Sequence, residues 1–177
     1  MRKINIDKSW RFGHGLYGGL ASFFGSDSSV EVNLPHDYMI AENVSETAPA
    51  GPASGFYTAG VAYYTKLLFL PDEWKDQEIY LNFDGVMMNA TVDINGCKAA
   101  MQHYGYAPFF VNITPYVYFG KENRITVTVN PSMQPNSRWY SGAGIFRSVE
   151  LLHMPKLHIA PNGIFGYTSQ IEYDTQG

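Results

Sequence analysis

The sequence predicts an all-β protein, a jelly-roll β-sandwich of antiparallel strands with little helix. Three observations carry that prediction. Apolar and polar residues alternate with the two-residue period of half-buried strands in Val30 to Leu34, Ile79 to Phe83 and Ala90 to Ile94. Asn95-Gly96 stands between two such runs, and both residues tolerate the positive φ that tight hairpin turns require. About ten short strand-like runs follow one another with hardly any helical pattern between them. Many short strands joined by hairpin turns pack as two sheets. At 177 residues the chain is long enough for one sizeable core that buries about 70% of the unfolded surface.

Taken in order, Lys3 to Gly15 holds the first strands, around Ile4-Ile6 and Trp10-Phe12. Leu16 to Ser29 is Gly- and Ser-rich, with Leu20, Phe23 and Phe24 at the spacing of one short helical turn. Val30, Val32 and Leu34 form a strand that Pro35 ends. His36 to Gly60 has no periodicity, and a loop of that length is unusual in a compact domain unless functional or disordered. Its Tyr38, Phe56 and Tyr57 favour an ordered excursion across the surface. Ala62 to Leu70 is a long strand with Tyr63, Thr65, Leu67 and Phe69 on one face, closed by Pro71-Asp72. Asp72 to Asp76 is a connecting turn, Ile79 to Phe83 the next strand, and Asp84-Gly85 the turn after it. Ala90 to Ile94 pairs through Asn95-Gly96 with Cys97 to Met101. Tyr104 to Phe110 is an aromatic loop leading into Val111 to Ile113, and Thr114-Pro115 starts a short helical turn through Val117. Ile125 to Val129 and Ile145 to Leu152 are the last strands of the sandwich. Residues 156–177 follow as a linker and the first strands of a further domain, with Leu157 to Ile159 and Gly163 to Thr168 as the candidates, or else as a docked tail.

Bulk chemistry narrows the partners. A net charge of −4 with no basic run argues against nucleic acid and against an anionic membrane, both of which require clustered Lys and Arg. No apolar run reaches the roughly 20 residues needed to cross a bilayer, and Met1-Arg2-Lys3 leads into no apolar signal core, so a soluble, cytoplasmic protein is expected. The single Cys97 excludes an internal disulfide and reads as a small strand-borne hydrophobe. Thirteen Tyr, eleven Phe and three Trp suit a β core, and also a surface that stacks on flat ligands such as sugars.

Polar recognition groups concentrate in Pro135 to Arg147, where an amide, two guanidiniums, two large aromatics and two glycines lie between two strands. Gly142 and Gly144 allow that loop to fold back tightly. It reads either as a recognition loop or as a structural turn in which Trp139 caps the core and Arg147 pairs with a surface carboxylate. Catalytic signatures are harder to find. Glycoside cleavage needs two carboxyl groups roughly 5–5.5 Å apart for retention or roughly 6.5–9.5 Å for inversion, and no pair stands out among the sixteen acidic residues. The five histidines have neither metal-ligand spacing nor a nucleophile elbow near them. His36-Asp37 reads as a local polar pair that orients the entry to the long loop. The residues by themselves favour a binding domain over an enzyme.

Six segments nevertheless run in a recognisable order: Pro35-His36-Asp37-Tyr38, Gly55-Phe56-Tyr57, Tyr63-Tyr64-Thr65-Lys66, Phe83-Asp84-Gly85-Val86 with Asn95-Gly96, Gly105-Tyr106-Ala107-Pro108-Phe109, and Asn136 to Arg147. This order resembles the N-terminal sugar-binding domain of family 2 glycoside hydrolases over residues 3 to 155, most of all the β-galactosidases, with β-glucuronidases and β-mannosidases as relatives. The resemblance implies a domain over residues 1–155 ahead of an immunoglobulin-like domain and a (β/α)8 barrel that supplies two catalytic glutamates, one following an Asn. No Asn-Glu dipeptide occurs here, and one sandwich has no room for a barrel of about 250 residues.

The resemblance thus implies a non-catalytic segment with no cofactor of its own, from a parent enzyme that is a homo-oligomer and holds sodium or magnesium. In the family the loop before Arg-Trp helps fence the pocket for the terminal sugar. The substrate-binding candidates it implies are Asn136, Arg138, Trp139 and Tyr140. Asn136 matches the acidic sugar-contacting position of the family, but as an amide it departs from the carboxylate associated with sodium. Arg138, with five fixed donors, would bind sugar hydroxyls or hold the loop on the barrel. Two other readings remain open: a free-standing carbohydrate-binding module with Tyr104, Tyr106, Trp139 and Tyr140 as stacking platforms, and an interdomain clamp.

Overall fold

A computed structural model describes residues 2–18, 29–133 and 137–171. It contains ten strands: β1 (Arg2–Asn5), β2 (Trp10–His14), β3 (Val30–Val32), β4 (Ala62–Leu70), β5 (Gln77–Phe83), β6 (Ala90–Ile94), β7 (Cys97–Gln102), β8 (Phe109–Asn112), β9 (Lys121–Val129) and β10 (Val149–Pro155). They form a four-stranded sheet in the order β1-β10-β5-β8 and a six-stranded sheet in the order β3-β2-β4-β9-β6-β7. Every pairing between them is antiparallel. The only helical pieces among the described residues are four 3-10 turns, at Met39–Ala41, Gly51–Ser54, Asp72–Trp74 and Thr114–Tyr116. The all-β sandwich expected from the sequence is therefore the fold observed.

The core lies between the sheets. Trp10, Tyr64, Phe83, Leu81, Ile94, Ile125 and Val127 are all fully buried there. Trp10 gains a partner for its ring N–H by donating to the Ile6 carbonyl at 2.7 Å, so burying the indole leaves no polar atom stranded. Alternation is cleanest in β6, where Ala90, Val92 and Ile94 point inward and Thr91 and Asp93 outward. Asn95 (φ 52) and Gly96 (φ 84) both take the positive φ expected of the hairpin. Asn95 also ties that end of the sandwich to its neighbours, donating to the Tyr116 carbonyl at 2.8 Å and to Asn123 Oδ1 at 2.9 Å.

Three expectations need correction or a boundary. The helical turn suggested within Leu16 to Ser29 falls mostly outside the described residues. The last strand starts at Val149, not Ile145, because Ile145 is spent plugging the core from a loop. Through Ile171 the segment after Pro155 forms no strand, contrary to the two expected at 157–159 and 163–168. A strand needs a neighbouring edge to satisfy its backbone, and the described part of this segment pairs with none. It does touch the sandwich: Lys156 pairs with Asp76 at 3.2 Å, and the His158 ring meets Tyr80 edge-on at 5.9 Å.

Candidate functional site

At one end of the sandwich three chain segments meet: residues 36–38 after β3, residues 86–88 after β5, and residues 137–148 between β9 and β10. Their backbones lock together in short ladders. His36 N–H donates to the Ile145 carbonyl at 2.8 Å and Tyr38 N–H to the Ala143 carbonyl at 3.0 Å. Met87 and Gly144 exchange both backbone bonds, at 2.9 and 2.8 Å. Ala143 and Ile145 are thereby fully buried.

Asp37 is the hub of this arrangement. Its Oδ1 accepts from Met39 N–H at 3.1 Å, a local turn of the kind Asp makes two residues on, and from Ala143 N–H at 2.9 Å. Its Oδ2 accepts from the Tyr140 hydroxyl at 2.8 Å. One carboxylate thus fixes a loop more than a hundred residues away, through charge-assisted bonds that are roughly twice as strong as neutral ones. Burial, and after it the bond to Asp37, raises the Tyr140 hydroxyl well above the usual tyrosine range, so it stays a donor at all physiological pH values. Behind Asp37, His36 Nδ1 and the Tyr64 hydroxyl share a hydrogen bond of 2.8 Å. Burial lowers the His36 pKa from its ordinary value of 6.5, with the Asp37 charge opposing it, so the ring is held neutral near pH 7.

The two glycines are used as backbone close-approach positions. A Cβ on Gly142 (φ +72) would sit 2.7 Å from Asp37 Oδ2, and one on Gly144 (φ +126) would sit 2.4 Å from the Tyr64 hydroxyl and 2.5 Å from the His36 carbonyl. Neither position has room for another residue.

On this fixed base stand the exposed tips. Trp139 is 59% exposed and Tyr140 38% exposed, and Arg138 is exposed as well. Trp139 is oriented by its Nε1–H, which donates to the Tyr106 hydroxyl at 3.0 Å, while Tyr140 meets Tyr57 edge-on at 5.6 Å. Between Trp139, Tyr106, Tyr104, Met87, Ser137 and Ser141 lies a mostly apolar groove of about 250 Å³. Gly105 gives this groove its floor, since a Cβ there would meet Met87 Sδ at 2.5 Å. A flat, partly apolar ring with hydroxyls at its rim suits such a surface of aromatic faces and hydroxyl edges.

Of the four predicted contacts, Trp139 lines this groove, Arg138 and Tyr140 are exposed beside it in the chain, and Asn136 lies outside the described residues. Two contacts of the structural-turn reading are not the ones observed: Trp139 does not cap the core, and among the described residues Arg147 meets no carboxylate. Its guanidinium lies over the Phe146 ring at 5.2 Å and donates to the Asp84 carbonyl at 3.4 Å. What sequence reasoning missed is the role of Asp37, read as a partner of His36 alone; the local turn it starts is legible, its reach to Ala143 and Tyr140 is not. Among the described residues no group of three or more His, Cys, Asp or Glu side chains is placed to hold a metal.

Comparison with known proteins bears on what this end serves. The family pattern described as "Glycosyl hydrolases family 2, sugar binding domain" matches residues 24–155. The chain is 35% identical over 172 residues to a β-galactosidase of Bacteroides ovatus, covering 96% of this chain and 20% of that protein. It is 37% identical over 147 residues to a putative β-glucuronidase of Formosa agariphila, covering 82% of this chain and 14% of that protein. Among solved structures it superposes on a glycosyl hydrolase family 2 member from Bacteroides cellulosilyticus with a TM-score of 0.80 at 32% identity, covering 88% of this chain and 21% of that one. A β-glycosidase from Bacteroides vulgatus gives 0.77 at 34% identity, with 86% and 20% covered. The chain spans about a fifth or less of the length of these relatives.

Proposed function

We propose, given that this chain belongs to the glycosyl hydrolases of family 2 and is their sugar-binding domain, that its Asp37-braced loop forms one wall of the substrate pocket of a longer β-glycosidase. The chain itself carries no acid/base or nucleophile in this reading; those belong to other domains of the same polypeptide. The observation that carries it is the contrast inside residues 137–148, where a buried, hydrogen-bonded base presents Arg138, Trp139 and Tyr140 outward. A loop that only packed would turn its tryptophan in.

For the substrate we take terminal β-galactosides, supported by the β-galactosidase relative that matches along 96% of this chain. A second reading, β-glucuronides, draws on Arg138, whose planar guanidinium is exposed and suits a sugar carboxylate. Assay of the full-length enzyme on aryl β-galactoside and aryl β-glucuronide separates them. Turnover of the galactoside, with the glucuronide poor, is expected; a glucuronide preference lost selectively in Arg138→Gln would replace the first reading by the second. The wall itself is tested by Trp139→Ala in the same enzyme, which should raise KM about ten-fold or more with the fold intact, as loss of one aromatic platform does. Unchanged KM would remove the loop from the pocket. The 177-residue chain alone should cleave neither substrate, and activity in it would refute the division of labour.

A further inference from the structure

The outer face of the six-stranded sheet carries a second feature, which runs along β9 from Glu122 to Thr128. Register places Glu31, Arg11, Thr65, Thr126 and Asp93 in one row across β3, β2, β4, β9 and β6. Direct partners in an antiparallel ladder share a face, and at about 4.8 Å between strands this row runs about 19 Å. The next rows on the same face pair Leu67 with Arg124 and Phe69 with Glu122. Two adjoining depressions of about 660 and 380 Å³ lie along these rows and share Tyr17, Leu67 and Arg124. The groove beside Trp139 shares no lining residue with either depression.

The polar groups here are unusual in being unspent. Among the described residues the side chains of Asp93, Glu122 and Arg124 take part in no hydrogen bond or ion pair. Arg124 instead lies 5.5 Å over the Tyr17 ring, which is held edge-on to Tyr63 at 5.4 Å. Covering this face with protein would strip water from both carboxylates and the guanidinium and leave each in need of an exact counter-group. A neutral polyhydroxylated chain has no such mismatch. Its hydroxyls would donate to Asp93 and Glu122, accept from Arg124 and do both with Thr128, with a ring face against Tyr17 and Leu67. Charges of both signs interleave, so neither an anionic nor a cationic polymer is favoured.

The geometry points to a second carbohydrate site on this sheet face, taking a neutral oligosaccharide several sugars long and separate from the pocket wall. The test is an amide chemical-shift titration of the 177-residue chain with galactotetraose, xylotetraose, mannotetraose and cellotetraose, each up to about 10 mM. At least one should move the amides of Leu67, Asp93, Arg124 and Thr126, more strongly than its monosaccharide does. Arg124→Ala should weaken that binding about ten-fold or more, as loss of a charged hydrogen-bond donor does, with the rest of the spectrum unchanged. Trp139→Ala should leave it intact. Shifts confined to the surroundings of Trp139 and Tyr106, or no shifts with any of the four, would overturn the proposal. Neither result touches the pocket-wall reading, which rests on the full-length enzyme.

Discussion

Within one loop, residues 142–145 and residues 138–140 behave as opposites. The first group is buried, has its backbone paired to residues 36–38 and 87, and holds glycines where no Cβ fits. The second is exposed, touching its neighbours through side-chain tips. The difference teaches how a sandwich loop can present exposed aromatic and basic side chains with no α-helix among the described residues: the ordering cost is met by the buried half, and the exposed half inherits fixed directions from it. Sites placed on rigid supports lose less entropy on binding than sites on free loops.

That contrast can be broken most forcefully at Gly144. Replacement by Ala adds a Cβ 2.4 Å from the Tyr64 hydroxyl at a φ of +126, and should cost about 3 kcal/mol or more. Urea unfolding should show a lower midpoint with an unchanged slope. Asp37→Ala comes next. It strands the Ala143 N–H and frees Tyr140, for an expected loss of about 2 kcal/mol, and it should speed hydrogen exchange at Ala143 before it affects β-strand amides. Asp37→Asn, which keeps an acceptor oxygen, should lose less.

A smaller effect comes from pH. The folded His36 pKa lies below its unfolded value of 6.5, so the unfolded chain binds more protons in the window between the two. Stability should therefore be full above about 6.5 and fall as pH drops through that window, and His36→Gln should flatten this part of the profile. Because the ring is only half buried, the change stays modest. The smallest effect is expected at Trp139. Trp139→Ala should alter stability by no more than about 0.5 kcal/mol, the range of surface substitutions, while it alters ligand binding. A large loss of stability there would erase the distinction between base and tips.

Much of the fold was readable in the chain itself. Two-residue alternation located β5, β6 and β9, Asn95-Gly96 fixed the hairpin between β6 and β7, and Thr114-Pro115 announced the short turn at Thr114–Tyr116. These signals are local, since the period of side chains along a strand and the φ preferences of two turn residues need no distant partner. In β4 the same alternation was ambiguous about its inner face. Leu67 and Phe69 look fit for the core yet are 55% and 57% exposed, whereas Tyr64 and Leu70 are fully buried. Both faces of that strand are apolar, so the choice belonged to the sheet beneath it.

The sequence alone determined the sandwich, its hairpin and the segment in which the recognition groups gather, because each follows from residues within a few positions of one another. Only the tertiary structure decided that Asp37 holds Tyr140 and Ala143, that Trp139 turns outward, and that Asp93, Glu122 and Arg124 face one trough. Those facts depend on which strands become neighbours. Pairing across more than a hundred residues is settled by the packing of the whole core, and no local pattern encodes it.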